Sequence, residues 1–318
     1  MRSETVHLFF ACDEKYLSLF AASLASVKAN CDKERRYDVR VLHTDISEGK
    51  RMQVLEAFRE EWFDVSFHDL SEEVSRLSDA LHTRDYYSRA TYYRLFIPTL
   101  FPFLRKALYL DSDVIVTGDI SRLYDTSLEG CLVGAVADGF VNHVPVLRKY
   151  VENRVGVTGP YFNAGVLLMN LELMREISFG RLFLTLLSRV TFRVAQDQDY
   201  LNVICRGRVR FLSEDWNYMP FQEREGTPSL IHFNLDQKPW QRDGILFAEE
   251  FWRYARMTPF FDEISAMRAA YSEADDLRAR EETEALIALA VQESEDEAEN
   301  ARFAEEIARI LAVGEVKV

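Results

Sequence analysis

The plainest chemistry in this chain lies in "KALYLDSDVIV" (106–116), where Asp111 and Asp113 interrupt an apolar run. Read as a strand, side chains at i and i+2 share a face, so the two carboxylates project together at the strand's carboxyl edge. Two unpaired carboxylates that close repel each other, and one is driven to hold a proton. A divalent cation removes that conflict, and oxygen ligands suit Mg²⁺ or Mn²⁺. Open α/β sheets place ligands at the carboxyl ends of strands, where this pair falls. The alternative is a pair of solvated turn aspartates, which the apolar flanks "ALYL" and "VIV" argue against.

Further polar residues sit at similar junctions. "FFACDEKY" (9–16) ends an apolar run at Asp13, and "SRATYYRLFIP" (88–98) places Arg94 among apolar residues. "YFNAGVLLMN" (161–170) sets Asn163 beside a small Ala-Gly step. "QDQDYLN" (196–202) stacks amides and carboxylates, and "IHFNLDQKPW" (231–240) supplies His232 and Lys238. Each has an ordinary structural reading. A histidine after an apolar run is usually a satisfied core residue, and an arginine on an amphipathic helix a surface cation. The acids of "QDQD" are favoured at a helix start by the helix dipole. The stretch 71–93, with Tyr86, Tyr87, Tyr92 and Tyr93, reads either as a lid whose rings stack on a ligand or as helix packing.

These residues need elements to hold them. Strand-like runs at 5–12, 37–45 and 63–70 alternate with helical patterns at 15–30 and 47–61, where Ser47 is a plausible N-cap. That alternation predicts βαβ units and a mostly parallel sheet. A helical pattern runs up to Pro98, a strand is predicted at 131–138, a strand opening into a helix over 159–174, a strand followed by a loop over 209–220, a strand end leading into a loop over 228–240, and a helix from 195 to near Gly207. Residues 271–318 hold 14 Asp/Glu and 5 Lys/Arg, and 281–312 is helix-prone with two apolar patches. The expectation is a catalytic domain over 1–245 and an acidic helical extension over 246–318 that caps the domain or mediates a homo-oligomer.

Composition narrows the classes. With 318 residues, 48% apolar, the chain can bury a large core. A net charge of −14 argues against a nucleic-acid surface, and the acidic tail argues against an anionic membrane. The four cysteines, Cys12, Cys31, Cys131 and Cys205, lack metal or disulfide spacing, which predicts reduced thiols in a cytoplasmic protein. No window is long and apolar enough for a transmembrane helix or a signal-peptide core.

The order of the pieces is the informative part. Strand-Asp13, helix-Arg94, "YLDSDVIV", "FNAGVLLMN", "QDQDYLN" and "H…KPW" together resemble glycosyltransferase family 8 over roughly residues 5–240, with bacterial lipooligosaccharide galactosyltransferases the best-fitting branch. The resemblance implies the GT-A fold, a mostly parallel sheet flanked by helices, here with a helical C-terminal extension. It implies retaining transfer of galactose or glucose from a UDP-sugar to a glycan hydroxyl, on a lipid or protein, forming an α-linkage. Asp111, Asp113 and His232 would hold the metal, and the imidazole favours Mn²⁺ over Mg²⁺. Ala11, Asp13 and Ser112 would contact the nucleotide, and Arg94, Asn163 and Asp197 the sugar. Gln198 would lie where a nucleophile is expected, with Asp197 or Asp199 as the alternative, and Lys238 would contact the diphosphate. Two departures stand out. Lys15 stands where relatives have a small polar residue, and Leu235 stands in place of the glycine of H-x-x-G-x-x-K-P-W, so the expectation is a loop that runs differently there. The rivals are a UDP-sugar-binding module of the same fold and a haloacid-dehalogenase-like phosphatase. The latter uses D-x-D near its N-terminus with a second acidic pair, and no such pair is found here.

Overall fold

The computed structural model describes residues 4–75 and 89–315. The chain forms two compact units, one built from the N-terminal segment through Glu73, Ala107–Ser127 and Ser213–Asp276, the other from Val74–Lys106, Leu128–Leu212 and the segment from Leu277 onward.

In the first unit, β1 (Val6–Ala11), β2 (Tyr37–His43), β3 (Phe63–Asp69) and β4 (Lys106–Leu110) are all parallel, in the order β3-β2-β1-β4. Val6, Leu8, Phe9 and Phe10 of β1 are fully buried, which is why that strand reads as an apolar run broken only by the half-buried His7. Helices α1 (Leu17–Asn30) and α2 (Glu48–Phe58) connect the first three strands. Helix α1 is buried along Leu17–Val27, and the serines within it, Ser18, Ser23 and Ser26, are small enough to be enclosed. Ser47 stands at the N-cap of α2 with an extended backbone but makes no side-chain cap bond. A short antiparallel pair, β5 (Val114–Val116) with β9 (Leu230–His232), completes this unit's strands, with Val114 opposite His232. Helix Ala248–Ala255 packs on α1, where Asn30 donates to Tyr254 Oη at 2.7 Å.

In the second unit, β6 (Val133–Ala137) pairs antiparallel with β7 (Phe162–Asn170) and parallel with β8 (Val209–Phe211). Helix Asp197–Ile204 opens within "QDQD", with Gln196 as the residue before it, and Gly207 ends that region in a left-handed turn at φ 76°. The C-terminal region forms helices Glu273–Glu295 and Glu297–Glu315. Phe303, Ile307 and Ile310 of the last helix are buried against the chain's own residues.

Two local expectations are corrected. Pro98 does not end a helix. Arg89–Phe96 is a 3₁₀ segment, and Pro98 lies in the first turn of helix Ile97–Leu100, where a missing N–H is harmless. Asp111 and Asp113 are not strand residues, because β4 stops at Leu110 and β5 begins at Val114. Turn geometry, rather than strand alternation, directs their side chains. The part of the proposed lid from 76 to 88, including Tyr86 and Tyr87, lies outside the described residues, whereas Tyr92 and Tyr93 are buried and Tyr92 stacks at 6.4 Å on Phe183.

None of the described helices is long and apolar enough to cross a membrane. The cysteines are unbridged, and burial raises the thiol pKa of Cys12, Cys31 and Cys205.

Candidate functional site

The turn between β4 and β5 is built from helix α1. Ser23 Oγ lies 2.7 Å from the Ser112 carbonyl and 2.6 Å from that of Val114, so its single proton is shared between them. Ser26 Oγ accepts from Val116 N at 2.9 Å, and Ser112 Oγ donates to the Ala11 carbonyl at 2.9 Å. Ser112 therefore ties the turn to the end of β1. Tyr109 Oη donates to Asp111 Oδ1 at 2.8 Å.

The β5–β9 register brings His232 to the same turn, reinforced by Phe233 N donating to the Asp113 carbonyl at 2.9 Å. His232 Nε2 lies 3.2 Å from Asp113 Oδ1 and 3.8 Å from Asp111 Oδ2. Ligand atoms of Asp111, Asp113 and His232 all fall within 4.8 Å of one another. Asn217 Oδ1 sits 2.9 Å from His232 Nδ1 and accepts from it, which orients the ring with Nε2 toward the two carboxylates. The donor set, two carboxylates and one imidazole, fits a divalent ion such as Mn²⁺.

Lys238 completes the cluster. Its Nζ lies 3.0 Å from Asp113 Oδ2 and 3.2 Å from Tyr16 Oη, and it sits over the Tyr16 and Trp240 rings at 5.5 and 5.1 Å. Burial alone raises the Asp113 carboxyl, but Lys238 and His232 outweigh it and hold that group well below the usual carboxylate range. Asp13 is half-buried just beyond β1, and its Oδ1 accepts from Tyr16 N at 2.9 Å. Lys15 is exposed. Leu235 adopts φ 49°, the left-handed conformation that a glycine takes without strain, so the loop keeps a glycine-like backbone at this position despite the side chain.

A second cluster occupies the other unit. Asp138, which caps helix Gly139–His143, accepts through Oδ2 from Asn163 Nδ2 at 3.1 Å and from Gln198 Nε2 at 3.2 Å. Gln198 Oε1 in turn accepts from Ala164 N at 2.9 Å. Arg94 is buried, donates to the Ala164 carbonyl, and lies with Nε 3.0 Å from Asp197 Oδ2. That contact is ionic, because the Nε proton is directed at the Thr91 carbonyl at 2.8 Å. Asp199 is fully buried, with Oδ1 accepting from Tyr161 Oη at 2.7 Å and Oδ2 from Tyr150 Oη at 2.8 Å and Ala195 N at 3.1 Å. Burial pushes its carboxyl up to about 7, against the lowering effect of those three donors. Gln196 opens the corner at φ 48°, ψ −113°, a strained conformation for a residue with a Cβ.

Within the first unit, then, the structure gathers Ala11, Ser112, Asp111, Asp113, His232 and Lys238. Within the second it gathers Arg94, Asn163, Asp197 and Gln198, and it locks Asp199 into a separate buried nest. Sequence reasoning missed Asp138, although "CLVGAVAD" ends an apolar strand in an aspartate just as β1 and β4 do. It also missed Ser23, Asn217, Tyr150 and Tyr161, whose roles depend on contacts across long sequence separations.

Comparison with known proteins accords with this geometry. Residues 7–244 match the family model of Glycosyl transferase family 8. General stress protein A of Bacillus subtilis (strain 168) is 24% identical over 81% of this chain and 95% of its own length. Lipopolysaccharide 1,2-glucosyltransferase of Escherichia coli (strain K12) is 24% identical over 80% and 78%. Among solved structures, the bifunctional glycosyltransferase WbbM superposes with TM-score 0.72 at 25% identity, covering 84% of this chain and 52% of that one. An active-site mutant of LgtC superposes with TM-score 0.69 at 27% identity, covering 80% and 96%. The mostly parallel sheet flanked by helices is the GT-A fold of those enzymes. The resemblance read from the ordered motifs is borne out, and the chain belongs to glycosyltransferase family 8.

Proposed function

We propose that this protein is a retaining, Mn²⁺-dependent transferase that moves galactose or glucose from a UDP-sugar to a hydroxyl of a glycan acceptor, forming an α-linkage. The observation that carries the reading is the convergence of His232 Nε2 on the Asp111–Asp113 turn, with the imidazole ring oriented by Asn217. Galactosyl- and glucosyltransferases among the relatives support a hexose donor, and LgtC has been solved with donor and acceptor sugar analogues. The unbridged cysteines fit a reducing compartment, and we place the reaction in the cytoplasm.

Asp111, Asp113 and His232 would hold the ion, which when bound supplies positive charge to a departing diphosphate. Lys238 adds a second cation there, and removing one such contact from a developing charge typically costs ~10²-fold in rate. Ala11, Asp13 and Ser112 would hold the nucleotide, and Arg94, Asn163 and Asp197 the sugar and its surroundings. The occupancy of the "QDQD" carboxylates supports front-face transfer over a covalent glycosyl-enzyme. Both Asp199 oxygens accept protein hydrogen bonds in a fully buried nest, and Asp197 is buried and paired with Arg94. Gln198, the half-buried member, is a neutral amide and a poor nucleophile. In this scheme the C1–oxygen bond to UDP breaks, the acceptor oxygen bonds C1 on the same face, and the leaving phosphate oxygen takes the acceptor's proton.

The test is UDP release across a panel of UDP-sugars with and without Mn²⁺. Turnover of UDP-galactose or UDP-glucose that requires the ion is expected, with Asp113→Asn reducing it at least ~10²-fold. Binding of UDP-sugars with no turnover under any donor would instead make the protein a binding module. Near-normal turnover in Asp113→Asn would remove the metal assignment.

A further inference from the structure

We propose that Glu293, in the acidic C-terminal region, is a positioning residue that holds the "QDQD" corner in shape from behind. Its effect on catalysis rests on the proposed transfer reading, whereas the holding itself does not. The corner needs support, because Gln196 sits at φ 48°, ψ −113°, and such a conformation persists only where its surroundings over-determine it. One support is Asp199, whose Oδ2 accepts from Tyr150 Oη at 2.8 Å and from Ala195 N at 3.1 Å. Those two donors belong to separate segments, and each segment carries an arginine nearby: Arg154 after Tyr150, and Arg193 before Ala195.

Glu293 joins the two arginines. Its Oε1 accepts from Arg193 Nε at 2.6 Å, and its Oε2 lies 3.6 Å from Arg154 Nε, an ionic contact. A ring is thereby closed. It runs from Asp199 through Tyr150 and Arg154 to Glu293, and returns through Arg193 and Ala195. Asn153 Nδ2 reinforces it by donating to the Ser294 carbonyl at 3.0 Å. Within the ring, Val151–Val155 form a π turn, an uncommon geometry that recurs at functional sites. Glu299 also holds Arg154, through Nη2 at 2.8 Å, but among the described residues Glu293 is the one carboxylate that reaches both arginines. Opening the ring at Glu293 therefore leaves Arg154 with Glu299 and releases the segment that carries Ala195. Gln196 can then relax, and Gln198 moves with it. A misplacement of about 1 Å caused far from the chemistry can cost ~10²-fold in rate.

Hydrogen exchange of the full chain, read by mass spectrometry over peptides containing Ala195, Gln198 and Asp199, tests the holding without turnover, since all three amides are hydrogen-bonded at the corner. Glu293→Gln and Arg193→Met should each speed exchange there at least ~10-fold, the scale of one lost charge-assisted bond. Both should lower kcat with a UDP-sugar by ~10–10²-fold while affinity for UDP, which carries no sugar, stays at the parent's value. Arg193→Lys keeps the charge and should preserve most of the protection and the rate. Val133→Ala truncates the core of β6 without touching the ring, so it should lower stability yet leave corner exchange and kcat near the parent's. Corner exchange in either ring variant no faster than in Val133→Ala overturns the proposal, and so does faster exchange with an unchanged kcat. A parent that turns over no UDP-sugar, with the corner loosened in both ring variants, overturns the transferase reading and leaves the holding role standing. If Glu293→Gln does not fold, Arg193→Met decides alone, because that side chain is half-exposed.

Discussion

Asp199 sits in the "QDQD" run beside Gln198 but is fully buried, with both carboxylate oxygens accepting from protein donors. Its pKa of about 7 arises from burial, which outweighs three hydrogen-bond donors. An unfolded aspartate titrates near ~3.9, so the folded state holds an extra proton between those values. A raised carboxyl pKa makes stability fall as pH rises through that window, by up to ~1.4 kcal/mol per pH unit. Asp199→Asn is expected to flatten the slope between about pH 4.5 and pH 7, read from urea midpoints at several pH values. A slope identical to the parent's would assign the proton to another group. Leu235 makes a second residue-scale prediction. Its left-handed backbone costs ~1–2 kcal/mol, partly offset by the greater chain entropy of glycine. Leu235→Gly should therefore raise stability by up to ~1 kcal/mol, and a lower urea midpoint would show that packing of the leucine side chain outweighs the strain. Residue types made both positions visible in the sequence. Their electrostatics were hidden, because burial and the tyrosine partners of Asp199 come from distant segments.

At the scale of elements, α1 does more than join β1 to β2. Its Ser23 and Ser26 fix the carbonyls and amide around Asp111–Asp113, so the helix acts as a template for the turn. Ser23→Ala leaves two buried carbonyls short of a donor and should cost ~1–3 kcal/mol. Weakened Mn²⁺ binding should accompany it if the turn relaxes, whereas a loss of stability with intact Mn²⁺ affinity would confine Ser23 to packing. Most elements were legible in the sequence. The alternation of "TVHLFFAC", "KYLSLFAASLASVKAN" and "YDVRVLHTD" maps onto β1, α1 and β2 within a few residues. Where the reading slipped, at Pro98 and at the aspartate pair, a short element was at stake. Three- and four-residue elements such as β5 and Ile97–Leu100 carry too little periodicity to register.

At the scale of the molecule, the acidic tail is anchored by a buried carboxylate. Glu293 is 1% exposed and lies 2.6 Å from Arg193 Nε and 3.6 Å from Arg154 Nε. Arg154 also reaches Glu299 at 2.8 Å and stacks 4.6 Å from the Phe303 ring. Removing one member of a buried ion pair strands its partner, so Glu293→Gln should lower stability by ~3 kcal/mol in thermal or urea unfolding. A variant as stable as the parent would show that Glu299 suffices to hold Arg154. The sequence disclosed the tail's helices and charge. It could not single out Glu293 among so many acids, since what sets that residue apart is the pair of arginines supplied by earlier segments.

Val114 and His232 meet only after the chain has closed a long loop, an unfavourable step until other contacts are in place. A folding intermediate with β1 to β4 assembled and Leu230–His232 undocked would own the acidic turn without its nitrogen donor. Time-resolved manganese uptake during refolding would accordingly lag behind collapse of the parallel strands and mark the moment the last strand docks.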